Sequence, residues 1–496
     1  MNQWNRERAF RLLALCGMGG LLVFSAEGAC ASRAPEEPAA VAGGGGGGSS
    51  RDSGSDSSKG GSEAGATAEA GMCSTPDTPL PSGTPAGWSW LPCIPSSCQI
   101  VMAPDPARAN PPLEWASCGK GCLKYSHMNI DVDHAIGFFK GANGGGVRYV
   151  AYEIASGDPR EIQVVRLPDN VVVFDAIAFG GLQGCGMYLG AVTSNVSVVW
   201  ISELVSSSPP INRRLVYSLD MASSSLRLLF DETSDENYQA WTISPNLWAT
   251  AASGLRVLKW HDLSYAPSLE TAWQSPDARV IKQLGGIESM VLLGTSDLAS
   301  IFEVLAWDPV GGMRSLFGSS SASTGSSACC ALTDGNNITW LEAPASAWHP
   351  DSATFDNVAL MASPLATDKG ALRSRKLRPS YQNLLGGGEG AIGGGYVLMV
   401  EHRQLPDPSK LILTRLSDGA FIVMSDPPAG QQWRTPLYVD EIELAAVRAP
   451  TAQGQPMSIV RQTIVDLGAF HPAEAWNDIV GQADAGSDGS SLQSAH

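Results

Sequence analysis

Two stretches of this sequence share one pattern: IQVVRLPDNVVVF at residues 162–174 and LILTRLSDGAFIV at residues 411–423. Each has an apolar run, then Arg-Leu-x-Asp followed by Asn or Gly, and then a second apolar run. Asp-Asn and Asp-Gly tolerate positive φ and are typical of tight hairpin turns. The pattern therefore predicts two antiparallel β-hairpins of the same design.

Weaker copies of this hairpin recur along the chain. They lie at 215–230, 255–262, 301–317 and 458–466, with a degenerate copy at 371–378. The units follow one another at roughly 50 residues, which is the period of a four-stranded propeller blade. We therefore predict an all-β fold, a β-propeller of about seven four-stranded blades. Tandem β-sandwiches, which also contain many short strands, are the alternative.

The hairpins and their period resemble exported bacterial propellers of the TolB-like and WD40-like type. The phrase ALTDGNNITW at 331–340 is similar to those that open a blade in such proteins. The resemblance covers about residues 86–470 and implies the propeller fold, without a particular substrate. We expect residues 86–125, which precede the first full copy, to complete the ring by pairing with the last blade.

The N-terminus has the composition of a signal segment. Arg6, Arg8 and Arg11 precede an apolar run from Leu12 to Phe24. That run is shorter than the roughly 20 residues that a membrane-spanning helix needs. We therefore predict that residues 1–31 direct export.

Cys30 leaves two readings of the mature N-terminus open. Ala29-Cys30-Ala31 fits a general cleavage site before Ser32. Gly28-Ala29-Cys30 also resembles the end of a bacterial lipobox, although Glu27 stands where such proteins carry an apolar residue. We favour lipidation of Cys30, because the long spacer that follows suits a domain tied to a bilayer.

The spacer at 32–78 is predicted to be a disordered tether. It contains six consecutive glycines at 43–48 among Ser, Ala, Asp and Glu, so it cannot bury enough apolar surface to fold. A propeller domain is expected at 79–470, followed by a flexible tail at 471–496. The expected location is the outer membrane, as a lipoprotein, or otherwise the periplasm or the extracellular space.

Cysteine usage fits an exported, disulfide-bonded domain. Two W-x-x-C elements carry Cys93 with Cys98 and Cys118 with Cys122. The simplest expectation is two local disulfide loops, 93–98 and 118–122, with crossed pairing or a four-thiolate metal site as the alternatives.

The charge of the chain argues against one class of partner. Its net charge is −17, which repels nucleic acid. The one basic cluster, RSRKLR at 373–378, is interpreted as a solvated strand face. No nucleic-acid partner is expected, and contact with the membrane is expected only through the N-terminal lipid.

Motifs for chemistry are sparse. Gly388 to Gly393 matches G-x-G-x-x-G, but a strand follows it, so we interpret it as a loop between blades. Asp131 and Asp133 would share one face of a strand and are weak candidates for binding a hard cation. No catalytic residue and no cofactor are predicted.

We therefore expect a binding or scaffold module that contacts envelope proteins or glycans. The alternative is a propeller hydrolase or lyase that acts on polysaccharide, since such enzymes gather carboxylates from several blades.

Overall fold

The computed structural model describes residues 76–480 except for short connecting segments, the longest of which are 128–136, 259–269, 366–373 and 382–389. Its elements are strands β1 to β33 in chain order, three 3-10 turns (Ala345–Ala347, Ile464–Asp466 and Ala473–Ala475) and one short helix, α1 (Trp476–Ile479). The predicted all-β class is confirmed. No helix in the described residues is long and apolar enough to cross a membrane.

The strands form seven sheets of four to six antiparallel strands and one two-stranded sheet. Sheet 1 contains β1 (Ser89–Trp90), β2 (Gln99–Met102), β5 (Gly137–Lys140), β6 (Arg148–Ala155), β7 (Arg160–Leu167) and β8 (Val171–Phe179), in the order β1-β2-β8-β7-β6-β5. Sheet 2 contains β9 (Cys185–Thr193), β10 (Val196–Ser207), β11 (Pro210–Asp220) and β12 (Ser225–Ser234). Sheet 3 contains β13 (Tyr238–Ser244), β14 (Asn246–Ala251), β15 (Gly254–Leu258) and β16 (Glu270–Gln274).

Sheets 4 to 6 repeat this arrangement. Sheet 4 contains β17 (Val280–Ile287), β18 (Met290–Ser296), β19 (Phe302–Asp308) and β20 (Gly312–Gly318). Sheet 5 contains β21 (Ser326–Thr333), β22 (Asn337–Pro344), β25 (Ala359–Pro364) and β26 (Arg375–Pro379); β23 (Trp348–His349) and β24 (Thr354–Phe355) pair separately. Sheet 6 contains β27 (Gly390–Gly393), β28 (Tyr396–Glu401), β29 (Lys410–Arg415) and β30 (Phe421–Val423).

Sheet 7 joins the two ends of the described chain. It contains β31 (Gln431–Val439), β32 (Glu443–Pro450) and β33 (Met457–Thr463), followed in space by β4 (Cys122–His127) and β3 (Glu114–Gly119). β4 pairs with β33 from Met457 opposite His127 to Gln462 opposite Cys122. The expected pairing with the last sheet is therefore observed for β3 and β4, whereas β1 and β2 add to the outside of sheet 1.

The first strands of successive sheets contact one another. β5 contacts β9, and the contacts continue through β13, β17, β21, β27 and β31, which in turn contacts β5. The apolar core lies between neighbouring sheets: one cluster joins sheets 1 and 2, and others join sheets 5 and 6, sheets 6 and 7, and sheets 7 and 1. Strands buried on both faces read as continuous apolar runs, which explains VVVF and LIL in the repeated motif.

Both predicted hairpins are confirmed. The first forms β7 and β8, and the second forms β29 and β30, in each case the third and fourth strands of a sheet. In the second turn, Gly419 has a φ of 78°, and Asp418 Oδ1 accepts a hydrogen bond from the backbone N–H of Ala420 at 3.1 Å. The weaker copies at Leu215 and Ile301 also lead into antiparallel third and fourth strands.

Three sequence expectations need correction. Gly390–Gly393, interpreted as part of a loop, is the first strand of sheet 6. Arg378, placed on a solvated face, is 1% exposed, because sheet 6 and α1 cover it. Residues 471–480, assigned to a flexible tail, pack against sheet 6, where Trp476 is 2% exposed.

Candidate functional site

Several site residues proposed from the sequence lie outside the described residues. These are Cys30, the lipidation candidate, and Asp131 and Asp133, the metal candidates. They stay predictions.

The described cysteines pair differently from the simplest expectation. Cys118 and Cys122 form a disulfide across the β3–β4 turn, whereas Cys98 bonds to Cys185 at the start of β9, with the two Cα atoms 5.5 Å apart. The expected 93–98 loop is therefore wrong, because the β1–β2 loop brings Cys98 against sheet 2. Cys93 and Cys330 are also disulfide-bonded.

Among the residues that the structure describes, the most deeply buried charges are Arg378 on β26 and Glu401 on β28. Nη1 of Arg378 donates to Oε1 of Glu401 at 2.7 Å, and both side chains are fully buried. Nε of Arg378 donates to Thr414 Oγ1 at 2.8 Å. The other carboxylate oxygen of Glu401 accepts from Ser380 Oγ at 3.0 Å and from the backbone N–H of Tyr381 at 2.8 Å. The pair thus joins sheets 5 and 6 through charge-assisted hydrogen bonds.

Trp476 covers this ion pair. The guanidinium carbon of Arg378 lies 4.2 Å from the centre of the Trp476 ring, a cation–π geometry. Burial lowers the pKa of Arg378, while Glu401 opposes this shift. Because an arginine stays charged in proteins, the arrangement keeps a compensated charge under the C-terminal segment and offers no proton for chemistry.

A second buried polar group lies in sheet 7. Nη2 of Arg461 donates to Glu443 Oε2 at 2.7 Å, and the hydroxyl of Tyr438 donates to Asp440 Oδ2 at 2.5 Å. Burial lowers the pKa of Arg461 and raises that of Tyr125, which lies close to it. Asp440 also accepts from the backbone N–H of Ile442 and of Glu443 at 2.8 Å, so it holds the β31–β32 turn.

Two carboxyl groups meet on sheet 1. Nε2 of Gln163 donates to Glu161 Oε1 at 2.6 Å and to Asp175 Oδ2 at 3.0 Å. Asp175 is 3% exposed. Burial, together with the nearby Glu161 carboxylate, raises the pKa of Asp175 to about 8. Asp175 is therefore a carboxyl that stays largely protonated at neutral pH, a state that suits a general acid.

The position of this pair limits what it can do. Glu161 and Asp175 lie on β7 and β8, the third and fourth strands, and β2 pairs with β8 on its outer side. The pair therefore lies away from β5, the strand that contacts the neighbouring sheets' first strands. Among the described residues, one group of His, Cys, Asp or Glu side chains has the spacing of a three-ligand metal site: Cys98, Cys185 and Glu203.

Sequence reasoning missed Glu401 and Asp175. Both carry a usable signal, because each is an ionisable residue within an otherwise apolar strand: VVVFDAIAF for Asp175 and YVLMVE for Glu401. Such a polar group must find a partner when it is buried. The identity of that partner is not readable from the pattern, because Arg378 lies on a different sheet.

Comparison with known proteins gives similarity to solved structures only. No protein-family model matches the chain, and no curated protein matches it. The chain is similar to a puromycin-hydrolyzing peptidase of Mycobacterium tuberculosis, with 12% identity and a TM-score of 0.38, over 71% of this chain and 52% of that one. It is also similar to prolyl oligopeptidase B from Galerina marginata, with 10% identity and a TM-score of 0.43, over 70% and 51%.

TolB from Acinetobacter baumannii is a third similar structure, with 10% identity and a TM-score of 0.28, over 62% of this chain and 78% of that one. The hairpin pattern of the sequence resembles propellers of the TolB-like type. The chain spans about half the length of the two peptidases. Likeness at this level carries no argument about activity.

Proposed function

We propose that the seven sheets form one closed, seven-bladed β-propeller and that this chain is an exported binding or scaffold module for envelope proteins or glycans. The observation that carries the proposal is the circuit of first strands, in which β31 contacts β5, together with the pairing of β4 from the N-terminal region with β33. A propeller arranges its sheets radially around a channel in this way. A crystal structure with sheets in an open row would contradict it.

Export and attachment rest on the leader. Arg6, Arg8 and Arg11 before an apolar run support export, and Cys30 followed by a glycine-rich tether supports a lipid anchor in the outer membrane. Mass spectrometry of the mature N-terminus, together with fractionation, tests this. An acylated Cys30 in the membrane fraction is expected, and a soluble chain that starts at Ser32 would contradict the anchor.

A binding role is favoured by the way the buried charges are used. Arg378 with Glu401, and Arg461 with Glu443, are ion pairs whose charges neutralise each other inside or between sheets. Because these charges find their partners inside the scaffold, ligand contacts are left to the loops at the ends of the strands, as is usual for rigid scaffolds.

The alternative, a hydrolase or lyase acting on polysaccharide, has one specific observation in its favour. Asp175 is a buried carboxyl with a raised pKa beside Glu161, and paired carboxyl groups perform glycoside hydrolysis. The location of the pair on the outer strands of sheet 1 favours the binding role instead.

One experiment separates the two functions. The purified mature chain is incubated with envelope polysaccharides and with envelope protein extracts, and both saturable binding and new reducing or unsaturated ends are measured. The binding module predicts saturable binding without products. Products that disappear in Asp175→Asn but persist in the exposed control Asp418→Asn would establish the alternative, and the absence of saturable binding would contradict the module.

A further inference from the structure

Cys98, Cys185 and Glu203 converge where the β1–β2 hairpin meets sheet 2. Their two Sγ atoms and one carboxylate oxygen all lie within 4.8 Å of one another. Cys185 begins β9 and is the cross-strand partner of Glu203 on β10. Cys98 ends the β1–β2 loop and reaches them from sheet 1. Three ligands of two types therefore come from three separate strands or loops.

The groups around this cluster hold Glu203 in place. The hydroxyl of Ser97 donates to Glu203 Oε1, an outer contact of the kind that orients a metal-binding carboxylate. Arg213 is the other cross-strand neighbour of Glu203. Its charge is engaged by Asp231 through two hydrogen bonds of 2.8 and 2.6 Å, so it is largely compensated beside the cluster.

The two cysteines of the cluster are buried, while Glu203 is half-buried. Cys98 is fully buried, and Cys185 is 9% exposed. Leu91, Ile94 and Met187 belong to the same apolar cluster. A low-dielectric surrounding strengthens the attraction between a cation and anionic ligands.

We propose that Cys98, Cys185 and Glu203 form a site for Zn²⁺ or another thiophilic divalent cation when the Cys98–Cys185 disulfide is reduced. Zn–S bonds of about 2.3 Å and Zn–O bonds of about 2.0–2.2 Å separate tetrahedral ligand atoms by roughly 3.5–3.8 Å. In the oxidised chain the two Sγ atoms are bonded to each other and lie within 4.8 Å of the Glu203 carboxylate, so reduction has to let the two sulfurs move apart to reach that separation. Two thiolates and a carboxylate leave the fourth position for water.

The disulfide bond and the metal ion exclude each other, because both use the sulfur atoms of Cys98 and Cys185. A dithiol reductant transfers two electrons to the Cys98–Cys185 bond, which yields two thiols while the reductant becomes a disulfide. Binding of Zn²⁺ then releases two protons as both thiols become thiolates. In either state the β1–β2 hairpin stays linked to sheet 2, where Tyr217 also donates a hydrogen bond to the carbonyl of Pro92 at 2.9 Å.

The test uses the full chain, reduced and kept free of oxygen. Zn²⁺ is titrated against a competing chelator, and Co²⁺ is used as a spectroscopic probe for thiolate ligation. Reduced wild type is expected to bind one equivalent more Zn²⁺ than Cys98→Ser/Cys185→Ser, and to show a stronger thiolate-to-cobalt charge-transfer band than this variant, which keeps its other cysteines. Cys118→Ser/Cys122→Ser is the matched control and should retain that equivalent, because no carboxylate of the described residues lies within 4.8 Å of both sulfurs of that disulfide.

Glu203→Gln keeps both cysteines, so it tests the site even if the double variant does not fold. It is expected to weaken Zn²⁺ binding at least about tenfold, since even outer contacts of a metal site are worth about 10–100-fold. Equal stoichiometry in wild type and Cys98→Ser/Cys185→Ser, or unchanged affinity in Glu203→Gln, would overturn the proposal.

Discussion

Nη1 of Arg378 lies 2.7 Å from Oε1 of Glu401, and no part of either side chain reaches solvent. Arg378 is on the last strand of sheet 5, and Glu401 ends the second strand of sheet 6. A buried ion pair balances a large desolvation cost against its mutual attraction. Replacing one partner of the pair and replacing both partners should therefore change the free energy of unfolding by different amounts.

We expect Glu401→Gln to lower the free energy of unfolding by about 3–5 kcal/mol, because it leaves the Arg378 guanidinium buried without a counter-charge. The double variant Arg378→Met/Glu401→Leu should recover most of that loss. Urea denaturation followed by far-UV circular dichroism measures both. The exposed pair Arg415–Asp418 provides the control variant Asp418→Asn, which should change the free energy of unfolding little. An effect of Glu401→Gln as small as that of the control would refute the account of a buried ion pair.

Trp476 anchors the C-terminal segment on sheet 6. It packs against Phe421 with ring centroids 5.2 Å apart and covers Arg378. Trp476→Ala should lower the free energy of unfolding by about 3–5 kcal/mol, the usual cost of removing a large buried side chain. Ile479→Ala, three residues further on and 39% exposed, is the control and should change little. Thermal unfolding of the full chain compares them, and similar midpoints would contradict the anchoring role.

Asp175 should make stability depend on pH. Its pKa is about 8 in the folded chain, against 3.8 for an ordinary aspartate. A raised carboxyl pKa contributes stability that is fully present below the unfolded value and is lost as pH rises through the folded value. Stability should therefore fall between pH 3.8 and about 8, and Asp175→Asn should flatten this fall, as measured by urea midpoints across that range.

Asp418 should make stability depend on pH in the opposite direction. Its hydrogen bond from Arg415 lowers the pKa of this exposed carboxyl, so its contribution is present above the unfolded value and is lost as pH falls. Asp418→Asn should leave the decline toward pH 8 intact. If it removed that decline as Asp175→Asn does, the assignment to Asp175 would be wrong.

Gly394 and Gly395 allow the cost of a close packing contact to be compared with the cost of backbone strain alone. Both have positive φ, 57° and 81°. A Cβ on Gly394 would overlap the backbone of Asp440 and Glu441 in the β31–β32 turn of sheet 7, whereas one on Gly395 would meet nothing within 4 Å. Gly395→Ala should cost about 1–2 kcal/mol from the left-handed conformation alone, and Gly394→Ala should cost clearly more. Equal losses in chemical denaturation would mean that sheets 6 and 7 are not in close contact there.

The two assigned disulfides should differ in their effect on stability. In the chain-entropy model, loss of Cys98–Cys185, with a sequence separation of 87, costs about 4–5 kcal/mol, and loss of a loop as short as Cys118–Cys122 costs about 2 kcal/mol. Paired Cys→Ser variants of each bond, compared by thermal unfolding under oxidising conditions, measure this. A larger loss for the 118–122 variant would contradict the Cys98–Cys185 pairing.

Some features follow from local sequence. Two turns, at Asp418-Gly419 and after Asp220, are readable from the sequence. In each, the Asp side chain accepts hydrogen bonds from backbone N–H groups two or three residues on, and Gly419 adopts positive φ without a steric cost. The apolar runs on both sides predict strands that are buried on both faces. The period of these hairpins also indicates, before any coordinates, a chain built from repeated sheets.

Partner choice across long sequence separations is a different matter. Cys98 pairs with Cys185 and not with its sequence neighbour Cys93, because the β1–β2 hairpin lies against sheet 2 and brings Cys98 to the start of β9. Residues 471–480 look like a polar tail in the sequence. Their single tryptophan, Trp476, nevertheless packs on Arg378, whose buried position depends on the packing of sheet 5 against sheet 6. The sequence by itself determined the strands, their turns and their repetition, since these depend on neighbouring residues. Only the tertiary structure decided which buried charges and cysteines meet, since those contacts depend on how the sheets are arranged in space.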